Sequence, residues 1–180
     1  MDVKEAILKR RSIREFIQNP ISDDMIRELL ESAMAAPSAC NKRPWEFYVV
    51  KSKQLQDRLR TVSRYSNMNS SLIIVVAGNE RRSLAHRVND FWIQDCAAAV
   101  ENMLLTATSL DIASCWCGLF PMVTPVKKVR AILGLEEHIF PLALVHLGFS
   151  EVQAIPRTQY EENRIHVYED DPVHEGDSIG

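Results

Sequence analysis

Phe91-Trp92-Ile93-Gln94-Asp95-Cys96-Ala97-Ala98-Ala99-Val100-Glu101-Asn102-Met103-Leu104-Leu105-Thr106-Ala107-Thr108-Ser109-Leu110 contains no glycine or proline and is apolar around most of its circumference. Nothing in it breaks a helix, and a helix that is apolar nearly all round is covered on nearly all sides. Asp90 to Leu110 therefore reads as one long helix set in a core or an interface. Working outward on the N-terminal side, Val3 to Leu8 has apolar positions at helical spacing. Ser22 is placed to cap a second helix through Met25, Ile26, Leu29, Leu30, Ala33 and Met34, which Pro37 stops. Glu46 to Lys51 is rich in strand formers, Leu55 to Val62 is a short amphipathic helix, and Leu72 to Val76 is a fully buried strand. On the C-terminal side, Ser114 to Leu119 reads as a strand, Pro125 to Leu133 as a helix closed by Gly134, and Ile139 to Phe149 as another strand. Helices followed by strands interleaved with helices indicate an α/β or α+β sandwich of three layers.

The chain has 180 residues, 46% of them apolar, enough for one core without disulfides or metal. After Ser150 the apolar pattern fades, so Glu151 to Gly180 is expected either to wrap the body, of a neighbouring subunit for example, or to be disordered. The domain is placed at residues 1–168 and an acidic tail at 169–180. A net charge of -3 offers no positive field for nucleic acid or an anionic membrane. No stretch approaches the ~20 apolar residues that span a bilayer, and the N-terminus is not signal-like, so a cytoplasmic protein is expected.

Six glycines, never closer than four positions apart, exclude the glycine-rich loops that hold dinucleotides or triphosphates. The cysteines include one C-x-C pair, Cys115 and Cys117, but no second pair for zinc, and the five histidines lack metal-ligand spacing. No G-x-S-x-G elbow is present and no Ser-His-Asp combination stands out.

Three segments retain chemical interest. Arg10-Arg11-Ser12-Ile13-Arg14 is the densest basic cluster, and Arg10 and Arg14 share a face whether the segment is helical or extended; an extended chain adds Ser12. Guanidinium forks bind phosphate oxygens bidentately and stay charged, although a solvated surface paired with Glu5 and Glu15 is the commoner use of such a run. Pro37-Ser38-Ala39-Cys40-Asn41-Lys42-Arg43-Pro44 is a donor-rich loop between a helix and a strand, suited equally to a preorganised site or a plain turn. Ser114-Cys115-Trp116-Cys117-Gly118 is an ordinary buried strand or a place where Gly118 lets a flat ligand approach the backbone. Arg157, beyond the last strand, adds a further cation.

Taken together, Arg10 to Arg14, Ala35-Ala36-Pro37-Ser38, the Asn41 to Trp45 loop, Phe91 to Asp95 with its helix, Ser114 to Gly118 and Pro156-Arg157 resemble the FMN-dependent nitroreductase family over nearly the whole chain. That resemblance implies an α+β three-layer sandwich with a mostly antiparallel central sheet flanked by helices, forming an intertwined homodimer with FMN at the subunit interface. It implies that Arg10, Arg11, Ser12 and Arg14 meet the FMN phosphate and the polar edge of the ring, with Arg14 at N1 and O2 and Arg157 at the phosphate. Pro37, Ser38, Ala39, Asn41 and Arg43 would reach the flavin from the other subunit, while Trp116, Cys117 and Gly118 would line the ring. The implied activity is ping-pong transfer from NADH or NADPH to a nitroaromatic, quinone or similar acceptor, with no protein catalytic residue and no metal. The alternatives are an FMN-binding module that reduces nothing, and a flavin-modifying or dehalogenating enzyme of the same fold. Arg43 stands where many relatives carry Gln, and Asp111-Ile112-Ala113 replaces a glycine-containing turn.

Overall fold

The structure, a computed structural model, describes residues 1–84 and 90–169. Its elements are α1 (Val3–Lys9), α2 (Asp23–Met34), β1 (Trp45–Val50), α3 (Lys53–Arg60), β2 (Leu72–Asn79), α4 (Phe91–Ser109), β3 (Ala113–Gly118), α5 (Val123–Leu133) and β4 (Ile139–Gly148). The predicted elements all form, with ends shifted by a few residues. Ser22 caps α2 as expected, its hydroxyl accepting from the Met25 N–H. The four strands make one antiparallel sheet in the order β1-β2-β4-β3.

Side-chain alternation along the two central strands creates two cores. Leu72, Ile74 and Val76 of β2, with Ala143, Val145 and Leu147 of β4, pack with α2 and α4. Ile73, Val75 and Leu144 face the opposite way, toward Leu59 and Val129 of α3 and α5. A bulge between Val76 and Ala77 breaks the register, so adjacent Leu142 and Ala143 both enter the first core. The result is the expected three-layer α+β sandwich, with α4 in the layer that also holds α1 and α2.

The end of α4 shows how a missing glycine is replaced. Asp111 takes the left-handed conformation at φ 55°. The Ile112 N–H donates to Ala107 O at 2.8 Å and the Asp111 N–H to Thr108 O at 3.3 Å, the two bonds of a Schellman motif. Aspartate is among the few side chains that tolerate this backbone, so the turn survives without glycine and delivers the chain into β3.

Gly78 is required by packing. A Cβ there would lie 2.1 Å from Trp92 Cε3, and Trp92 is itself fixed against Phe120, with ring centroids 4.9 Å apart. Gly78→Ala is expected to destabilise the fold by about 1–3 kcal/mol through this overpacking. Urea unfolding measures it, and an unchanged midpoint would mean that Trp92 has room to move.

Beyond β4 the chain leaves the body. The Arg157 N–H donates to Leu8 O at 3.2 Å, and Ile155 O accepts from Arg11 Nη2 at 2.7 Å. Neither bond covers the apolar side chains: Ile155 is 81% exposed and Tyr168 78%. The final acidic residues from Asp170 onward, with His86 and His174, lie outside the described residues.

Candidate functional site

Arg10 ends α1, its N–H closing the last turn onto Ala6 O. The chain then runs extended beside the edge strand β3, where Ser12 pairs with Ser114 and the Ile13 N–H donates to Ser114 O at 2.9 Å. This leaves the Ser12 residue exposed and fans the arginines apart. Arg10 Nε lies 3.4 Å from Glu101 Oε1 of α4. Arg11 reaches the tail at Ile155, whose neighbour Arg157 is tethered to Leu8. Partial desolvation, then the charges of Arg157 and Arg10, push the Arg11 guanidinium below its ordinary value. Arg11 thus lies within reach of two other guanidinium groups, one from the opposite end of the sequence, with Glu101 as the one ion-pair partner of the three among the described residues. That arrangement is relieved by a multivalent anion. A cavity of about 520 Å³ adjoins it, lined by Lys9, Arg11, Ile13, Asp111, Ser114 and the chain at Val152 to Ala154.

Arg14 does not share a partner with Arg10. Its Nη1 turns back to Ser12 O at 3.3 Å, and its charge reaches the cysteines of β3. The Cys117 thiol keeps its proton, which is directed to Tyr65 O at 3.0 Å. Interaction with the neighbouring Cys117 thiol pulls the Cys115 thiol down to about 7; burial opposes this and Arg14 assists. Strand alternation sends Trp116 to the opposite face, against the α2–α4 core. Gly118 is exposed with nothing within 4 Å of where a Cβ would stand, so the end of β3 presents bare backbone.

The Pro37 to Arg43 loop is built differently. Cys40, Asn41 and Arg43 all adopt positive φ, at 49°, 54° and 48°, which costs about 1 kcal/mol or more per non-glycine residue and persists only where surroundings enforce it. Two side chains do so: Ser38 Oγ accepts from the Arg43 N–H at 3.0 Å, and Asp95 Oδ1 accepts from the Ala39 N–H at 2.9 Å. Pro37, Asn41 and Arg43 are exposed, whereas Ser38 and Ala39 are partly covered.

One chain does not bring these groups together. The loop enters β1 at Trp45, which pairs with Gly78 and through it with Phe140, while Ser12 sits by Ser114, paired with Leu147. β1 and β3 are opposite edges of the sheet, and Phe140 and Leu147 lie toward opposite ends of β4. Three strand spacings and seven residues along a strand put the two clusters roughly 25 Å apart. Sequence reasoning assigned no individual role to Asp95, Glu101 or Ser114. For Asp95 a signal existed: an acid on the covered side of an apolar helix, one turn from Trp92.

The sequence profile of the Nitroreductase family matches residues 7–67 and 67–149. A Methanothermobacter thermautotrophicus protein with the provisional name NADH dehydrogenase/NAD(P)H nitroreductase is 33% identical over 93% of this chain and 87% of its own length. A nitroreductase family protein from Clostridium novyi superposes with a TM-score of 0.74 at 30% identity, covering 84% of this chain and 86% of that one. A Desulfovibrio desulfuricans protein, provisionally named a nitroreductase and crystallised in complex with FMN, gives a TM-score of 0.78 at 26% identity over 92% and 96% of the two chains. With both the profile and the relatives extending across the two cores and the arginine-bearing edge, this chain belongs to the nitroreductase family of oxidoreductases.

Proposed function

We infer that residues 1–168 act as one FMN-binding domain of a cytoplasmic homodimeric NAD(P)H oxidoreductase. The observation that carries this reading is that the tail brings Arg157 back to the Arg10–Arg14 segment, where Arg11 Nη2 bonds to Ile155 O, the Arg157 N–H bonds to Leu8 O and Ser12 is exposed. The donors there fit a phosphate dianion, and the bare backbone at Gly118 fits the approach of a flat ring. The chemistry supplied by bound FMN is hydride acceptance from NADH or NADPH and, in a ping-pong cycle, electron delivery to a nitroaromatic, quinone or similar acceptor. Arg10, Arg11 and Arg157 would hold the phosphate. Arg14 would place positive charge at N1 and O2 of the ring, and β3 would meet the ring through its backbone edge, because Trp116 and Cys117 point to opposite faces.

The separation of roughly 25 Å between the arginines and the Pro37 to Arg43 loop supports a site completed by a second copy. So does the exposed apolar tail, whose Ile155 and Tyr168 need cover that one chain does not provide. No helix among the described residues is long and apolar enough to cross a membrane.

Protein purified after incubation with FMN is expected to show the flavin absorption bands and to bleach anaerobically when NADH or NADPH is added. A colourless protein would overturn the cofactor assignment. A yellow protein that neither nicotinamide bleaches would leave only a flavin-binding module.

A further inference from the structure

Asp95 is buried in α4, 5% exposed, within the apolar helix whose covered face otherwise carries Trp92, Cys96 and Ala99. Among the described residues its carboxylate makes one hydrogen bond, from the Ala39 N–H to Oδ1, and Oδ2 is buried without a partner. A charged group taken out of water for a single bond is an unfavourable element of a core unless that bond controls something. The bond lands at the first residue of the turn Ala39–Asn41, immediately before Cys40 and Asn41, which with Arg43 are held in the left-handed region. On the other side the loop is fastened by Ser38 Oγ to the Arg43 N–H. Ser38 therefore closes the loop on itself, and Asp95 ties it to the rigid helix.

We propose that Asp95 is the positioning residue of the Pro37 to Arg43 loop: through the Ala39 N–H it sets the strained backbone that presents this loop to the cofactor. This rests on the reading of the loop as a flavin contact given above, while the hold on the loop itself does not. Asp95 touches no reacting atom; it acts through Ala39.

The test uses the full chain as wild type, Asp95→Ala, Asp95→Asn and Ala39→Pro. Asparagine keeps a carbonyl oxygen for the Ala39 N–H. Proline removes that N–H from the loop side, and it suits the first position of a helical turn after the extended Ser38. Without flavin, trypsin cleavage after the exposed Lys42 is followed by mass spectrometry. It is expected to rise at least about tenfold in Asp95→Ala and to stay within about threefold of wild type in Asp95→Asn. With FMN, the dissociation constant is expected to rise at least about tenfold in Asp95→Ala and Ala39→Pro, with no further rise when the two are combined, and to be preserved in Asp95→Asn.

Cleavage and affinity both unchanged in Asp95→Ala would overturn the proposal, as would Asp95→Asn behaving like Asp95→Ala. Faster cleavage with unchanged FMN affinity would uphold the hold on the loop and sink its link to the cofactor. Should Asp95→Ala lack a cooperative urea transition, Ala39→Pro decides alone: wild-type FMN affinity in that variant overturns the proposal.

Discussion

Replacing Arg10 and Arg14 together by alanine is expected to weaken FMN binding by about 10²- to 10⁴-fold while leaving the chain folded. Each guanidinium would give at least one charge-assisted hydrogen bond to the phosphate or the polar edge of the ring, worth about 1.5–3 kcal/mol, and every 1.4 kcal/mol is tenfold in affinity. The fold has little to lose. Arg14 is exposed and, among the described residues, bonds only to Ser12 O. Arg10 gives up a pairing with Glu101, whose side chain is 48% exposed, and such pairs contribute about 1 kcal/mol or less. Flavin fluorescence titration reads the affinity, and circular dichroism with urea unfolding reads the fold. Affinity within a few fold of wild type would place the phosphate elsewhere, with Arg11 and Arg157 the next pair to change. Because the cluster is open to solvent, affinity should also fall as salt rises.

The second large effect is a dependence of stability on acid centred on His146. This residue is fully buried in β4 between Ile73 and Cys115 of the neighbouring strands. Its Nδ1 lies 2.8 Å from Ser70 Oγ, and Nε2 has no partner among the described residues. Burial, then the charge of Arg60, lowers its pKa to about 4. The unfolded chain, with an ordinary value near 6.5, takes up the proton first as pH falls, so acid favours unfolding. The contribution is intact above pH ~6.5. Below that it declines by about 1.4 kcal/mol per unit, and the loss reaches about 3 kcal/mol as pH passes through ~4. Urea unfolding free energies between pH 4.5 and 7.5 measure the slope. In His146→Gln the slope should be shallower by close to one proton over this range, whatever the substitution costs overall. Equal slopes in wild type and variant would assign the acid sensitivity to other groups.

Local signals located the elements because each is short-range in cause. The hydroxyl of Ser22 starts α2, the left-handed Gly134 ends α5, and the unbroken apolar run from Phe91 is α4. The arginine segment was legible as chemistry for the same reason, since five adjacent residues carry it. Asp111 was not. No glycine marks that turn in the sequence, and the Schellman bonds show that aspartate does the same work there.

Other features had no local signal. Arg10 and Arg14 share a face in any regular segment, yet Glu101 and the Ser12 carbonyl draw them to different partners. Arg157 joins Arg11 only because the tail folds back to Leu8, across more than a hundred residues of chain. Asp95 did stand out as an acid on the covered side of an apolar helix, but its partner, the Ala39 N–H, is fifty-six residues away and only the fold supplies it.

By itself, then, the amino-acid sequence determined which segments are helix or strand, that they form a layered core, and where basic side chains are densest. Periodicity, capping and charge density are properties of neighbouring residues. Only the tertiary structure decided that the sheet runs β1-β2-β4-β3, and hence that the arginines and the Pro37 to Arg43 loop stand at opposite edges of it. That order follows from the long-range pairing of buried strand faces, which no local segment encodes.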